Sequence, residues 1–307
     1  LWDALGFHFY VHGKIHRKMT KSVKLSWLAL LTLCVLDLWL WSRIVGAKPL
    51  TGEEFHFLDV GQGDAQLLIL PSGVKILTDA GPDEKIGKAL QTVLPSGDRY
   101  LDMAVISHPQ LDHFGGLIKI VNAYDFGAVL VSGRDADESI RREWNALLDV
   151  FRTRAIPIVA IGEGDKIRVG SATVNILSPG KLLSRSAESN DTGIDQLIET
   201  RNVRALLTAD IGFGVEKYLL EKYDLAADIL KIGHHGSRYS SGDDFLSEVR
   251  PAFAVIQSGA GNRYGHPTEE TLKRIIKTAP LRIFRNDQDG TISGKVEDGR
   301  IVWFTSK

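Results

Sequence analysis

The apolar run Met103–Ile106 passes directly into Ser107-His108-Pro109-Gln110-Leu111-Asp112-His113-Phe114-Gly115-Gly116. Two imidazoles and a carboxylate thus fall within six residues, on the turn from a strand end into a helix. Whatever the chain folds into must present that strand end where His108, Asp112 and His113 can converge, and such a set suits a divalent ion. Gly115 and Gly116 let the backbone turn closely beside it. Asp112 is also a good cap for a helix over Phe114–Ala123, and the residues alone leave both readings open.

The remaining pattern is strands and helices in alternation. Strand-like runs are Glu54–Val60, Gln66–Leu70, Val74–Thr78, Leu101–Ser107, Ala128–Ser132, Ile156–Ala160, Ala172–Leu177, Gln196–Glu199, Arg204–Thr208, Asp228–Ile232, Phe253–Gln257, Leu281–Phe284 and Arg300–Phe304. Helical spacing occupies Glu84–Val93, Phe114–Ala123, Asp137–Thr153, Phe213–Lys222, Asp243–Glu248 and Glu269–Thr278. Short strands that begin as a meander and then alternate with helices predict a sheet core covered by helices on its outer faces. With 307 residues, 44% of them hydrophobic, the chain can bury a sizeable core.

Several other polar groups follow apolar runs. His234 and His235, in Gly233-His234-His235-Gly236-Ser237, sit after Asp228–Ile232. Paired histidines between glycines do little for packing, whereas neutral imidazole ligates metal or shuttles protons near neutral pH, and Ser237 can donate to a phosphate oxygen. Which imidazole does which is open. Asp79 and Asp210 each end an apolar strand beside small residues; each can reach a shared site or simply cap a turn. The same two readings hold for Asn190-Asp191 and for His266, which precedes Pro267 and the cap residue Thr268. The single cysteine, Cys34, excludes an internal disulfide framework and a Cys-rich zinc ribbon, so a metal would rest on nitrogen and oxygen atoms. Taken together, these strand-end groups are what a metallohydrolase with two ions in a groove needs: carboxylates to neutralise charge and a metal-bound water of lowered pKa as nucleophile.

Leu25–Ser42 reads LSWLALLTLCVLDLWLWS, eighteen residues with one charge. Its eight leucines, at roughly −0.5 kcal/mol each, outweigh Asp37 at about +3 kcal/mol, and Trp27, Trp39 and Trp41 suit the membrane interfaces. The expectation is an uncleaved membrane anchor over residues 25–46, in preference to a buried core helix or to a signal peptide cut near Val45-Gly46-Ala47. Five Lys/Arg precede the span and only Arg43 and Lys48 closely follow it. The positive-inside rule then predicts a single-pass protein of the cell membrane with residues 50–307 outside the cytoplasm. Residues 1–24 form a basic N-terminal segment, of which 1–18 precede the first methionine, Met19; these are an over-extended reading frame or part of something longer and carry no weight in the reading.

Residues 1–49 hold seven Lys/Arg against Asp3 and Asp37, so of 37 basic and 38 acidic residues, 30 and 36 remain in residues 50–307, a net −6. A broad basic face for nucleic acid is therefore not expected; such a partner would be held by a few groups or through a metal.

The order Asp79, His108-x-x-x-Asp112-His113, Asp210, His234-His235-Gly-Ser and His266 resembles the metallo-β-lactamase fold. More narrowly, Phe57-Leu58-Asp59-Val60-Gly61-Gln62-Gly63-Asp64-Ala65, Asp79-Ala80-Gly81 and Tyr264-Gly265-His266-Pro267 are similar to the C-terminal domain of ComEC-type competence proteins, over roughly residues 54–307. The resemblance implies an α/β (α+β) fold, an αββα sandwich over residues 50–307, with metal at one edge of the sheets and a hydrolase cutting phosphodiesters. It implies His108, Asp112, His113, Asp210 and His266 as ligands, Asp210 bridging, and Mn²⁺ or Zn²⁺ as one or two ions. It places His235, or alternatively His234, as proton shuttle or extra ligand, Asp191 or Asn190 as a further ligand, and Asp79 as a group orienting the ligand loop. Asp64 belongs to the signature without an assigned role. Gln110 stands where such families carry His or Asp, a neutral and weaker oxygen ligand that would weaken one of two metal sites. Competence proteins of this type also carry a multi-span channel ahead of this domain, whereas this sequence shows one span, so a separate channel protein would be a partner.

The expected function is a membrane-anchored, metal-dependent phosphodiesterase, a nuclease acting on DNA in a DNA-uptake role. The alternatives are a hydrolase of small nucleotides or other phosphate esters, and a catalytically silent binding module of the same fold, for which Gln110 is the main support.

Overall fold

The structure is a computed structural model and describes residues 21–45, 52–278 and 282–307. Two compact units divide at Pro49/Leu50. Among the described residues the first unit contains one helix, α1 (Lys21–Val45), whose span Leu25–Ser42 is long and apolar enough to cross a membrane. The leucines and tryptophans of that span are exposed. Residues 1–20 and 46–51, which include most of the basic segment and the Gly46-Ala47 step, lie outside the described residues.

In the second unit the strands β1 (Glu54–Phe57), β2 (Gln66–Ile69), β3 (Lys75–Thr78), β4 (Tyr100–Ile106), β5 (Asp125–Val131) and β6 (Ile158–Ala160) join two late strands, β14 (Ile292–Glu297) and β15 (Arg300–Thr305). Among the described residues they form an eight-stranded sheet in the order β15-β14-β1-β2-β3-β4-β5-β6. The strands β7 (Lys166–Val169), β8 (Ala172–Ser178), β9 (Asp195–Glu199), β10 (Arg204–Leu207), β11 (Ile229–Lys231), β12 (Phe253–Ile256) and β13 (Arg282–Arg285) form a seven-stranded sheet ordered β13-β12-β11-β10-β9-β8-β7. Each sheet is antiparallel where it meanders and parallel across β3-β4-β5-β6 and β10-β11-β12-β13.

Alternation along the strands sorts side chains into three apolar layers. Leu68, Ile76, Val105 and Leu130 of the first sheet meet Val174, Ile198, Leu207 and Val255 of the second, and this is the seam between the sheets. Their neighbours Leu67, Leu77, Ala104 and Ile106 point the other way, under the helices α2 (Lys85–Val93), α3 (Leu111–Ile120) and α4 (Arg141–Thr153). On the far side, Leu206, Leu230 and Ala254 are covered by α5 (Phe213–Leu220), α6 (Asp243–Val249) and α7 (Glu269–Lys277). The layering is αββα, as expected.

Several elements differ from the sequence reading. β1 ends at Phe57, because Leu58–Ala65 curls into a loop closed by the Leu58 N–H to Ala65 carbonyl bond of 2.9 Å. β14 was not expected: Ser293, Gly294 and Lys295 make it a poor strand by composition, yet it pairs with both β1 and β15, and Gly294 leaves room for the Trp303 ring, which a Cβ would meet at 2.9 Å. β7 was likewise missed, being a short, charge-rich edge strand. A single helical turn, α8 (Asn286–Asp289), leads into β14. Leu281, the expected first residue of β13, lies outside the described residues. The parallel halves of both sheets end at one edge, where ligands of open α/β sheets bind.

Candidate metal centre

Asp79 follows β3, His108 follows β4, Asp210 follows β10, and His234 and His235 follow β11. The turn after β4 enters α3 at Leu111, so Gln110 occupies the cap position and Asp112 lies inside the first turn; the capping reading of Asp112 falls away. α3 packs tightly on the loop after β3. A Cβ on Gly116 would lie 2.0 Å from the Ala80 carbonyl oxygen, and the Gly116 N–H donates to the Gly81 carbonyl at 2.7 Å. That contact brings Asp79 against His113.

Asp79 adopts a left-handed backbone, φ +57°. Its carboxylate accepts from the Ser107 N–H (2.8 Å), the Ser107 hydroxyl (2.7 Å) and His113 Nδ1 (2.8 Å). With Nδ1 held, His113 turns Nε2 to Asp210 Oδ2 at 3.4 Å. His235 repeats the arrangement from the other sheet. Its Nδ1 lies 3.0 Å from the Gln257 carbonyl and 3.1 Å from Asp64 Oδ1, while its Nε2 lies 3.3 Å from Asp210 Oδ2 and 3.5 Å from Asp112 Oδ2. Asp112, His113, Asp210 and His235 each offer a ligand atom, all within 4.8 Å of one another. Asp64, Asp79 and His113 form a second such group.

His108 is fully buried, with Nδ1 3.0 Å from the Ser107 hydroxyl and its ring centroid 4.1 Å from that of His113. His234 is the more exposed member of its pair. Its Nε2 lies 3.8 Å from Asp210 Oδ2, and its ring stands 5.8 Å from that of His266, which stacks on Tyr264. Thr268 caps α7, accepting from the Thr271 N–H, so the capping role beside His266 belongs to Thr268. Gln110 and Asp191 are engaged elsewhere: Gln110 Nε2 donates to Asn190 Oδ1 at 2.8 Å, and Asp191 accepts from the Ser186 hydroxyl at 2.7 Å. Ser237 is buried; its carbonyl accepts from the Thr271 hydroxyl and its hydroxyl oxygen from the Tyr239 N–H.

The electrostatics follow from burial and crowding. For His113, burial opposes the charged form, but Asp210 and Asp79 outweigh it and hold the pKa well above the ordinary imidazole value. His235 is raised in the same way, burial being overcome by Asp210 and Asp64. His108 lacks such a carboxylate contact, and burial with His113 beside it brings its pKa down to about 4. Burial works against the Asp112 carboxylate too, yet His235 3.5 Å away and the charge of His113 take its pKa to about 2. Asp210 is held well below the carboxylate range, against its burial, by His235 and His113. Imidazolium charge thus balances packed carboxylates, a task a divalent cation performs when these imidazoles are neutral. Nε2 of His108, His113 and His235 and Oδ1 of Asp210 are buried with no hydrogen-bond partner among the described residues, so the donor set fits a metal. Imidazole and carboxylate suit zinc, manganese and iron alike.

Two contributors escaped the sequence reading. Asp64 Oδ2 pairs with Lys231, the last residue of β11, and both side chains are fully buried. The available signal was a lysine inside the apolar run Ile229-Leu230-Lys231-Ile232, directly before the histidine pair. Gln257 is the other: its amide donates to the Leu58 and Ala65 carbonyls at 3.2 and 2.9 Å, tying the Gly61–Asp64 loop beside His235.

The chain is similar in sequence and in fold to known proteins. ComE operon protein 3 of Bacillus subtilis (strain 168) is 26% identical over 257 residues, 78% of this chain and 32% of that protein. Competence protein ComA of Neisseria gonorrhoeae is 28% identical over 246 residues, 76% of this chain and 31% of that protein. The chain therefore spans about a third of the length of these curated relatives. Among solved structures, the metallo-beta-lactamase fold protein YhfI from Bacillus subtilis has a TM-score of 0.51 at 14% identity, covering 79% of this chain and 100% of that one. The diiron β-hydroxylase CmlA from Streptomyces venezuelae has a TM-score of 0.50 at 14% identity, with 76% and 52% covered. Zn²⁺-bound PqqB from Methylobacterium extorquens has a TM-score of 0.50 at 14% identity, with 76% and 87% covered. The family model described as the Metallo-beta-lactamase superfamily matches residues 58–259. Matched over most of its folded body and built on that fold around the clustered histidines and aspartates, the chain belongs to the metallo-β-lactamase superfamily.

Proposed function

We propose that this protein is a metal-dependent hydrolase of phosphodiesters, acting on DNA in a competence-related role. The observation that carries the reading is the convergence of Asp112, His113, Asp210 and His235, with ligand atoms all within 4.8 Å and buried donor atoms left without hydrogen-bond partners among the described residues. The competence proteins among its relatives support the role.

Asp112, His113, Asp210 and His235 would hold the ion, with His108 beside His113 and with His234 and His266 at the outer side. When bound, the ion supplies Lewis acidity toward a phosphoryl oxygen and lowers the pKa of a coordinated water. Asp79 keeps the His113 proton on Nδ1, leaving Nε2 free to ligate. His234, partly exposed and with its pKa lowered by burial and by His235, is suited to carrying a proton between the site and solvent. Gln110 and Asn190, bonded to each other, present amides at the rim instead of a further carboxylate. This pairing favours a single tightly held ion, with Mn²⁺ or Zn²⁺ as its identity.

We place the protein in the cell membrane through α1, with residues 50–307 extracytoplasmic and a separate channel protein as partner. The charge excess before Leu25 supports that orientation, and the length of α1 supports the span. Protease added to cells stripped of outer barriers should reach the body, and full protection would reverse the assignment. The activity is tested with full-length protein in detergent, offered DNA and a small phosphodiester in parallel with Mn²⁺ or Zn²⁺. Metal-dependent cleavage of DNA supports the reading. Cleavage of the small diester alone makes it a small-phosphoester hydrolase, and binding without cleavage of either makes it a silent module.

A further inference from the structure

We propose that Lys231 is a positioning residue of the metal centre: its buried ammonium fixes Asp64, and through Asp64 it holds His235 with Nδ1 engaged and Nε2 presented to Asp112 and Asp210. The inference rests on the metal reading above.

Lys231 ends β11, a central strand paired in parallel with β10 through Leu207 and with β12 through Val255. Its side chain is 0% exposed, so it has no route to solvent, and an ammonium there is strongly unfavourable unless paired. Asp64 supplies the pairing carboxylate, with the Ala209 carbonyl 3.5 Å away. Burial would strip the proton from Lys231, but Asp64 and Asp210 outweigh it and raise its pKa, so the pair is ionic.

Asp64 is itself immobilised. Its N–H donates to the Asp112 carbonyl at 3.2 Å and its carbonyl accepts from the Gly81 N–H at 2.7 Å, so its backbone is fixed both to the turn bearing Asp112 and His113 and to the loop bearing Asp79. The carboxylate then reaches across to the second sheet, one oxygen to Lys231 and the other 3.1 Å from His235 Nδ1. That nitrogen faces two acceptors, Asp64 Oδ1 and the Gln257 carbonyl, which keeps a proton on Nδ1 and makes Nε2, facing Asp210, the nitrogen that would bind a metal.

A comparison within the molecule isolates the part Lys231 plays. His113 Nδ1 is hydrogen-bonded to Asp79, whereas His235 Nδ1 is hydrogen-bonded to the Gln257 carbonyl with Asp64 Oδ1 3.1 Å away, and both Nε2 atoms face the same Asp210 oxygen. Asp79 is anchored by two neutral donors, the Ser107 N–H and hydroxyl. Asp64 has no hydrogen-bonded neutral donor among the described residues, and its fixed partner is a cation. Remove the ammonium and Asp64 becomes an unpaired buried anion, free to turn from His235.

The test compares full-length protein with Lys231→Met, Asp64→Asn and the double variant. Mn²⁺ and Co²⁺ alone are the probes, with affinity read by chelator competition and the Co²⁺ absorption spectrum reporting the ligand set. Each single variant should lose metal affinity by about 10- to 100-fold and alter the Co²⁺ spectrum, with Asp79–His113 untouched. The double variant should be no weaker than the worse single, since the two side chains act as one unit. A folded Lys231→Met protein with wild-type affinity and spectrum would overturn the proposal, as would additive losses in the double variant. Should Lys231→Met not fold, the double variant, which removes both charges of the pair, decides alone: an unchanged affinity and spectrum in it overturns the proposal. Wild-type protein that binds neither metal overturns the metal reading and this inference together, whereas wild-type binding with indifferent variants overturns only the role of Lys231.

Discussion

His113 Nδ1 lies 2.8 Å from Asp79 Oδ2, and Asp79 holds that place with a left-handed backbone, φ +57°. Aspartate and asparagine tolerate this conformation better than most residues. Asp79→Asn should therefore preserve the turn while replacing the acceptor of the imidazole proton by an amide able to present its NH₂ instead. The expected result is a loss of metal affinity of about 10- to 100-fold, with thermal unfolding little changed. Metal titration of the variant checks it, and undiminished affinity would show that the carboxylate does not orient His113.

Gly116 faces the carbonyl of Ala80 so closely that a Cβ would lie 2.0 Å from its oxygen. The obstacle is backbone and cannot rotate away. Gly116→Ala should force α3 from the Asp79 loop, destabilising the protein by about 1–3 kcal/mol. Gly214, within α5, has nothing within 4 Å of an added Cβ, so Gly214→Ala should leave stability unchanged or raise it by up to about 1 kcal/mol. Thermal unfolding of the two variants side by side distinguishes them; equal losses would mean that α3 does not pack as described.

These two loops also show what could be read from the sequence. His108, Asp112, His113, Asp210 and His235 were legible because each stands where an apolar strand stops, and polar groups at several such stops have few other uses. Their mutual distances were not legible, since a strand end does not say which sheet it belongs to. Asp64 and Lys231 illustrate the difficulty: the pair joins the β1–β2 loop of one sheet to a central strand of the other, and no local periodicity encodes that contact. β14 was hidden for a different reason. Gly294 lowers its strand propensity, and the compensation, the Trp303 ring lying over it, comes from β15.

Glu216 offers a pH signature away from the metal centre. Its carboxylate is buried on α5 and accepts from the Ser241 and Gly242 N–H groups. Burial nonetheless dominates and raises its pKa to about 7 from the ordinary 4.5. The folded state therefore prefers the protonated acid. Its contribution is full below pH 4.5 and declines as pH rises toward 7, by up to about 3 kcal/mol. Glu216→Gln should remove this decline, so that the difference in unfolding free energy between pH 5 and pH 8 shrinks relative to wild type. An identical pH dependence in the two proteins would assign the slope to other groups.

Asp210 is the carboxylate on which the centre turns: one oxygen lies 3.4 Å from His113 Nε2 and 3.3 Å from His235 Nε2, while the other has no hydrogen-bond partner among the described residues. Asp210→Asn replaces an anion by a dipole between two ligand nitrogens, and no neighbour can move in to supply the charge, because Asp79 is bound to Ser107 and Asp64 to Lys231. Metal binding and hydrolysis should both be abolished. Asp112→Asn, at the more open side, should likewise abolish hydrolysis. Gln110→Asp tests the rim in the opposite direction. It removes the amide that donates to Asn190 and places an anionic oxygen one residue from the first turn of α3, so a weakly held further ion should bind more tightly and activity at limiting metal should rise. Metal content and turnover measured in one preparation, with folding followed by circular dichroism, separate these effects. Normal turnover in Asp210→Asn would refute the centre itself, whereas unchanged metal content in Gln110→Asp would show only that position 110 faces Asn190 and not the ion.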